Sequence, residues 1–146
     1  MWTLSKTEYR TKLAETMKRL GDNSSNCYAL IDAMNPKYPI LFCNDAYCQL
    51  TGYTEAEIVG VSYSNLFQYT SDEFFRDLNK KIREGIICKF EIFHGKKGNQ
   101  AFQAQIECFP LQNDEYQTEY IFIIVTDITY KNLSKFRNDL ERKMFR

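Results

Sequence analysis

The chain contains a single histidine, and none of its five cysteines (Cys27, Cys43, Cys48, Cys88, Cys108) falls in a CxxC pair, so the spacings that hold zinc are missing. It has no Walker loop, GxSxG elbow or HExxH helix, and no nucleophile–base pair or convergent carboxylates can be named, which argues for a protein that is not an enzyme. No apolar run approaches the ~20 residues a membrane span needs, so membrane insertion is not expected. The first residues, Met1-Trp2-Thr3-Leu4-Ser5-Lys6, lack the apolar stretch of a signal peptide. The cysteine count is odd, and four of the five lie in apolar strand patterns, where a thiol behaves as a small hydrophobe. Reduced thiols and a cytoplasmic protein are therefore expected. The formal net charge is zero, and no nucleic-acid partner is expected.

What is present suits one compact domain with two appendages. In 146 residues, 44% are hydrophobic and 15% aromatic, enough to bury about two-thirds of the unfolded surface. The zero charge hides an asymmetry. Residues 1–20 hold five Lys/Arg against two Glu, and residues 129–146 hold six against two acids, so two basic arms flank an acidic middle. Such arms are either solvated faces or docking elements for the acidic core or an acidic partner. The expected division is an N-terminal helical arm and linker over 1–25, a domain over 26–129 and a C-terminal helix over 130–146.

In the first arm Trp2, Tyr9, Leu13, Met17 and Leu20 share one helical face. Cys27 to Met34 and Pro39 to Cys43 read as a strand pair. Asn44-Asp45 then caps a short helix carrying Tyr47 and Leu50, and Gly52 ends it. Thr54-Glu55-Ala56-Glu57 is a capping box for a second short helix, and Thr70-Ser71-Asp72-Glu73 reads as another, opening a longer helix with Phe74, Phe75, Leu78 and Ile82. Ile86 to His94 and Asn99 to Leu111 form a hairpin around Gly95-Lys96-Lys97-Gly98. Tyr120 to Val125 is apolar throughout and predicts a central strand. The order predicts an α+β fold with a five-stranded antiparallel sheet, short helices on one face, and N- and C-terminal flanking helices. In the last segment Leu133, Phe136 and Leu140 repeat as a short heptad seam.

The run from Pro39 to Gly60, with "NDAY", "LTGY" and "EIVG", followed later by Thr126-Asp127-Ile128-Thr129, resembles the signature of a PAS domain. The resemblance implies the PAS fold, a strand running into short helices that wall a small cavity, and a role in sensing or binding. Asp32-Ala33-Met34-Asn35-Pro36-Lys37-Tyr38-Pro39-Ile40 is similar to the entry segment of the flavin-binding, blue-light-sensing LOV group. Against that group's pattern Tyr63 stands at the adduct cysteine, Ser64 at the phosphate-binding arginine and Phe67 at a glutamine. Without gaps, His94 and Ala104 replace the hairpin asparagines, and Val125 replaces the last strand's glutamine. A flavin ring edge would then be buried without partners, at about 1–3 kcal/mol for each one lost. FMN is not expected. Haem members take their ligand from the long helix, here residues 71–84, which has no histidine, so haem is not expected either.

The resemblance places Tyr63, Phe67, Phe90, Ile92, Phe102, Ala104, Ile123 and Val125 around the cavity, with His94 at a strand end beside a turn. Such side chains either close the cavity or hold a small apolar ligand; the aromatic content favours closure. His94 is expected as a turn-facing or hydrogen-bonded structural residue, and less so as a ligand. Two functions remain, and the helical last segment with Asp127-Ile128-Thr129 favours the first. One is a sensory module that dimerises through Leu13, Met17, Leu20, Leu133, Phe136 and Leu140 and signals through an Asp127-Ile128-Thr129 junction. The other is a docking cap for another protein domain, because Cys43 to Tyr53 also resembles the amino-terminal PAS cap of ether-à-go-go potassium channels.

Overall fold

The computed structural model describes residues 8, 11, 12, 15, 16, 19 and 26–144. Strands β1 (Cys27–Asp32), β2 (Ile40–Cys43), β3 (Phe67–Gln68), β4 (Cys88–Lys96), β5 (Gln100–Gln112) and β6 (Thr118–Asp127) form a single sheet in the order β2-β1-β6-β5-β4-β3. Every adjacent pair is antiparallel. The sheet has six strands where the sequence predicts five. The extra one, β3, pairs Phe67 with His94 and Gln68 with Phe93, and two residues are too few to show an alternating pattern. The continuous apolar run becomes β6, one of the two central strands and paired on both edges, by β1 and β5.

Between β2 and β4 the chain forms α1 (Asp45–Thr51), α2 (Glu55–Ile58), a 3-10 turn (Tyr63–Leu66) and α3 (Asp72–Arg83). Each begins or ends where local chemistry dictates. Asn44 caps α1, its side chain accepting from Tyr47 N, and Gly52 closes it at φ +79°, a conformation that suits a residue without Cβ. Thr54 and Glu57 make the reciprocal capping box of α2. For α3 the cap is Ser71, whose side chain accepts from Phe74 N. Its third residue is therefore Phe74, which has no group to reciprocate, so the expected second box is a single cap. The hairpin turn also falls later than predicted. Gly95 remains in β4 opposite Ala101, and the left-handed positions are Gly98 and Asn99.

Alternation along β4, β5 and β6 directs Phe90, Ile92, His94, Phe102, Ala104, Ile106, Ile123 and Val125 to the face covered by these helices. The opposite face carries a smaller buried cluster, Leu30, Phe42 and Tyr120, with Leu41 and Phe122 against it. After β6 comes α4 (Thr129–Met144). The first-arm residues that are described are helical, but Trp2, Tyr9, Leu13, Met17 and Leu20 lie outside the described residues. Among the described residues no helix is long and apolar enough to cross a membrane.

Asn44 is the local keystone of this arrangement. Fully buried, its Oδ1 accepts from Tyr28 N at 3.0 Å and Tyr47 N at 3.1 Å, while Nδ2 donates to the Asn26 carbonyl at 2.6 Å. Asn44→Ala removes the cap and leaves two inward-facing N–H groups unsatisfied. The expected loss is about 3 kcal/mol of unfolding free energy, measured by urea denaturation.

Candidate functional site

The helix-covered face of the sheet is where the expected pocket residues meet. Tyr63, Phe67, His94, Phe102, Ala104, Ile123 and Val125 are buried there, and Phe90 and Ile92 pack against them. Among the described residues they pack in one cluster. Phe67 is the hub. Its ring meets Tyr63 edge-on at 5.2 Å, Phe90 at 6.1 Å and His94 at 6.2 Å, and lies parallel to Phe75 at 6.0 Å. Edge-to-face pairs of this kind contribute about 0.5–1.5 kcal/mol each beyond the area they bury.

Open grooves indent the surface among the described residues. One of about 530 Å³ includes Ile92, one of about 260 Å³ includes Phe90 and one of about 630 Å³ includes Tyr63. No two of the expected pocket residues share any of these. What these positions share is a cluster of aromatic rings around Phe67.

At its centre lies a polar pair. His94 is fully buried within β4 rather than facing a turn, in register with Phe67 on one side and Phe102 on the other. Its ring stacks on Phe102 at 5.1 Å. Nδ1 lies 2.8 Å from the Gly95 carbonyl and Nε2 lies 2.9 Å from the Tyr47 hydroxyl. A carbonyl can only accept, so Nδ1 carries the proton and Nε2 accepts from the tyrosine. Burial pushes the imidazole down to about 4, against a smaller upward pull from the Gly95 carbonyl, and also pushes the Tyr47 phenol up. Both groups stay neutral at physiological pH. The pairing of Tyr47 with His94 escaped the sequence reading because the two lie far apart along the chain and no local pattern links them.

Tyr63, at the place where the LOV resemblance puts a reactive cysteine, donates to Asn79 Oδ1 at 3.2 Å, and burial raises its phenol. Tyr38, in a left-handed conformation at φ +50°, meets its ring edge-on at 5.8 Å. Among the described residues no cluster of His, Cys, Asp and Glu could hold a metal ion.

The expected junction is stapled to β5. Asp127 Oδ1 accepts from Thr129 N at 2.9 Å, Thr129 Oγ1 accepts from Gln103 N at 3.1 Å, and Ile128 N donates to the Gln103 carbonyl at 2.9 Å. Ile128 is buried, so the first turn of α4 is tied to the sheet at one residue. Farther along α4, Leu133 is 61% exposed and Leu140 45% exposed. The side chain of Phe136 lies outside the described residues, as do Leu13, Met17 and Leu20.

A family profile described as a PAS domain matches residues 25–130. The chain belongs to the PAS domain family. Among curated proteins it is similar to the mouse voltage-gated delayed rectifier potassium channel KCNH8, 25% identical over 119 residues, covering 79% of this chain and 11% of the channel. The rat channel KCNH4 is 28% identical over 104 residues, covering 68% of this chain and 10% of the channel. The chain thus spans about a tenth of the length of these relatives.

Among solved structures, a Rhodobacter sphaeroides LOV protein superposes with a TM-score of 0.72 at 18% identity, covering 81% of this chain and 68% of that one. The PAS domain of the fruit-fly ELK potassium channel superposes with a TM-score of 0.65 at 23% identity, covering 79% and 96%. Both establish the α+β PAS fold and nothing finer.

The buried histidine makes stability depend on pH. Above the ordinary imidazole value of 6.5 the folded and unfolded chains both hold it neutral, and its contribution is fully present. As pH falls from 6.5 toward about 4, the unfolded chain takes up a proton that the folded chain refuses. Stability should fall by up to about 3 kcal/mol over that window. Urea midpoints between pH 7.5 and 4 measure it. The double variant Tyr47→Phe, His94→Phe, which replaces both partners by apolar rings, should lose most of this slope.

Proposed function

We propose that this PAS module is a docking domain: it binds a protein domain of a larger assembly through its surface, with its interior closed by its own side chains. The observation that carries the reading is the aromatic packing around Phe67 and the His94–Tyr47 pair, which sets the domain's own side chains against one another at the expected pocket positions. The similarity to potassium channels supports an assembly of that kind, a channel included, and a cytoplasmic position is part of the proposal. So does α4. A helix of 16 residues with exposed Tyr130, Leu133 and Leu140 has little to hold it in water alone. In this reading the Asp127-Ile128-Thr129 staple couples movement of a docked α4 to β5.

A second reading rests on the same exposed leucines. Two copies would pair through α4, with Leu13, Met17, Leu20 and Phe136 extending the seam, and the module would signal as a dimer. Light scattering after size exclusion separates the two. Docking predicts a monomer at high micromolar concentration in low salt, with no change of mass in Leu133→Asp. A dimer that survives about 0.5 M salt, where screening is reduced to ~4 Å, and that Leu133→Asp or Leu140→Asp dissociates, would overturn docking in favour of self-association. For both readings the purified protein should lack visible absorbance; a yellow chromophore that bleaches reversibly in blue light would overturn the closed interior.

A further inference from the structure

Cys43 ends β2 and is buried; Cys48 follows five residues later in α1 and is half-buried. Their sulfurs lie 3.6 Å apart. A disulfide needs about 2.05 Å, so closure asks each sulfur to move only about 0.8 Å. The backbone between them is held in place. Asn44 N donates to the Tyr28 carbonyl at 3.1 Å, Cys48 N donates to the Asn44 carbonyl at 3.2 Å, and the Asn44 side chain binds both flanks. The backbone that carries both sulfurs is therefore fixed by the fold.

We propose that Cys43 and Cys48 form a redox pair that hydrogen peroxide converts into a disulfide. Cys48, the more accessible, attacks as its thiolate. A sulfur–oxygen bond forms, the peroxide O–O bond breaks, and hydroxide leaves to become water on taking up a proton. Cys43 then attacks the sulfenic sulfur of Cys48; the sulfur–sulfur bond forms, the sulfur–oxygen bond breaks, and a second water leaves. Two thiols lose two electrons, and one peroxide is reduced to two waters.

The alternative pair is Cys88 and Cys108. They face each other across β4 and β5, where burial pushes Cys108 up to about 12 and raises Cys88. Burial and the nearby Asp127 raise Cys27. The Cys43–Cys48 bond would tie the end of β2 to α1 beside Tyr47, whose hydroxyl reaches His94. Oxidation would thus be felt at the centre of the interior.

Trypsin makes the test unambiguous, because residues 38–76 contain no internal Lys or Arg and carry Cys43 and Cys48 as their only cysteines. The full chain is treated with peroxide under native conditions, alkylated, digested and weighed. The expected 38–76 peptide is lighter by two hydrogens and resists alkylation; dithiothreitol reverses this, and Cys48→Ser abolishes it. A bond joining peptides 84–89 and 98–131 would overturn the proposal. So would a 38–76 peptide that remains fully alkylated, or one in which Cys48 reaches sulfinic acid while Cys43 is still alkylated. Wild-type mapping alone decides the matter if Cys48→Ser does not fold.

Discussion

The hydrogen bond from the Tyr47 hydroxyl to His94 Nε2 joins the first helix to the far side of the sheet, and the rest of the interior is arranged around it. It sets which imidazole nitrogen carries the proton, and with the Gly95 carbonyl it fixes the ring plane. That plane lets Phe102 stack on one side and presents the ring to Phe67 on the other. Removing one partner alone would leave a polar group in an apolar, water-excluded space, which costs more than the bond contributes. The pair is thus a constraint on geometry more than a source of stability.

The sheet holds α4 at one stapled turn and leaves its later leucines in water. Its ion pairs, Arg137 with Glu141 and Arg142 with Asp139, are exposed, and pairs of this kind contribute about 0–1 kcal/mol. A partner that covers the apolar stripe would supply what the domain itself does not.

The hairpin and the helical segment also hold each other. Lys97 N donates to the Thr51 carbonyl at 2.9 Å, and Lys97 Nζ pairs with Glu57 at 2.9 Å. Gly52 closes α1 directly beneath the Lys97 side chain, where an added Cβ would come within 3.4 Å of the Lys97 Cβ. The turn between β4 and β5 thus clasps α1 and α2 against the sheet edge, on the side where the Tyr47–His94 bond crosses.

What the sequence determined by itself is what short-range chemistry decides. The caps at Asn44 and Thr54, the αL stop at Gly52, the central placement of β6 and the PAS frame are all legible, because each depends on residues within a few positions or on an unbroken apolar period. Tertiary structure alone decided the rest. Two-residue β3 exists only because β4 offers it an edge, and the α3 cap settled on Ser71 because helix register, not composition, sets the third position. His94 could be placed near the cavity by resemblance, but its burial, its tautomer and its bond to Tyr47 arise from a contact 47 positions apart. The 3.6 Å approach of Cys43 and Cys48 likewise depends on how a strand end turns into a helix. No sequence pattern encodes such distances, because they are set by how separate elements pack, where each side chain's position depends on all its neighbours at once.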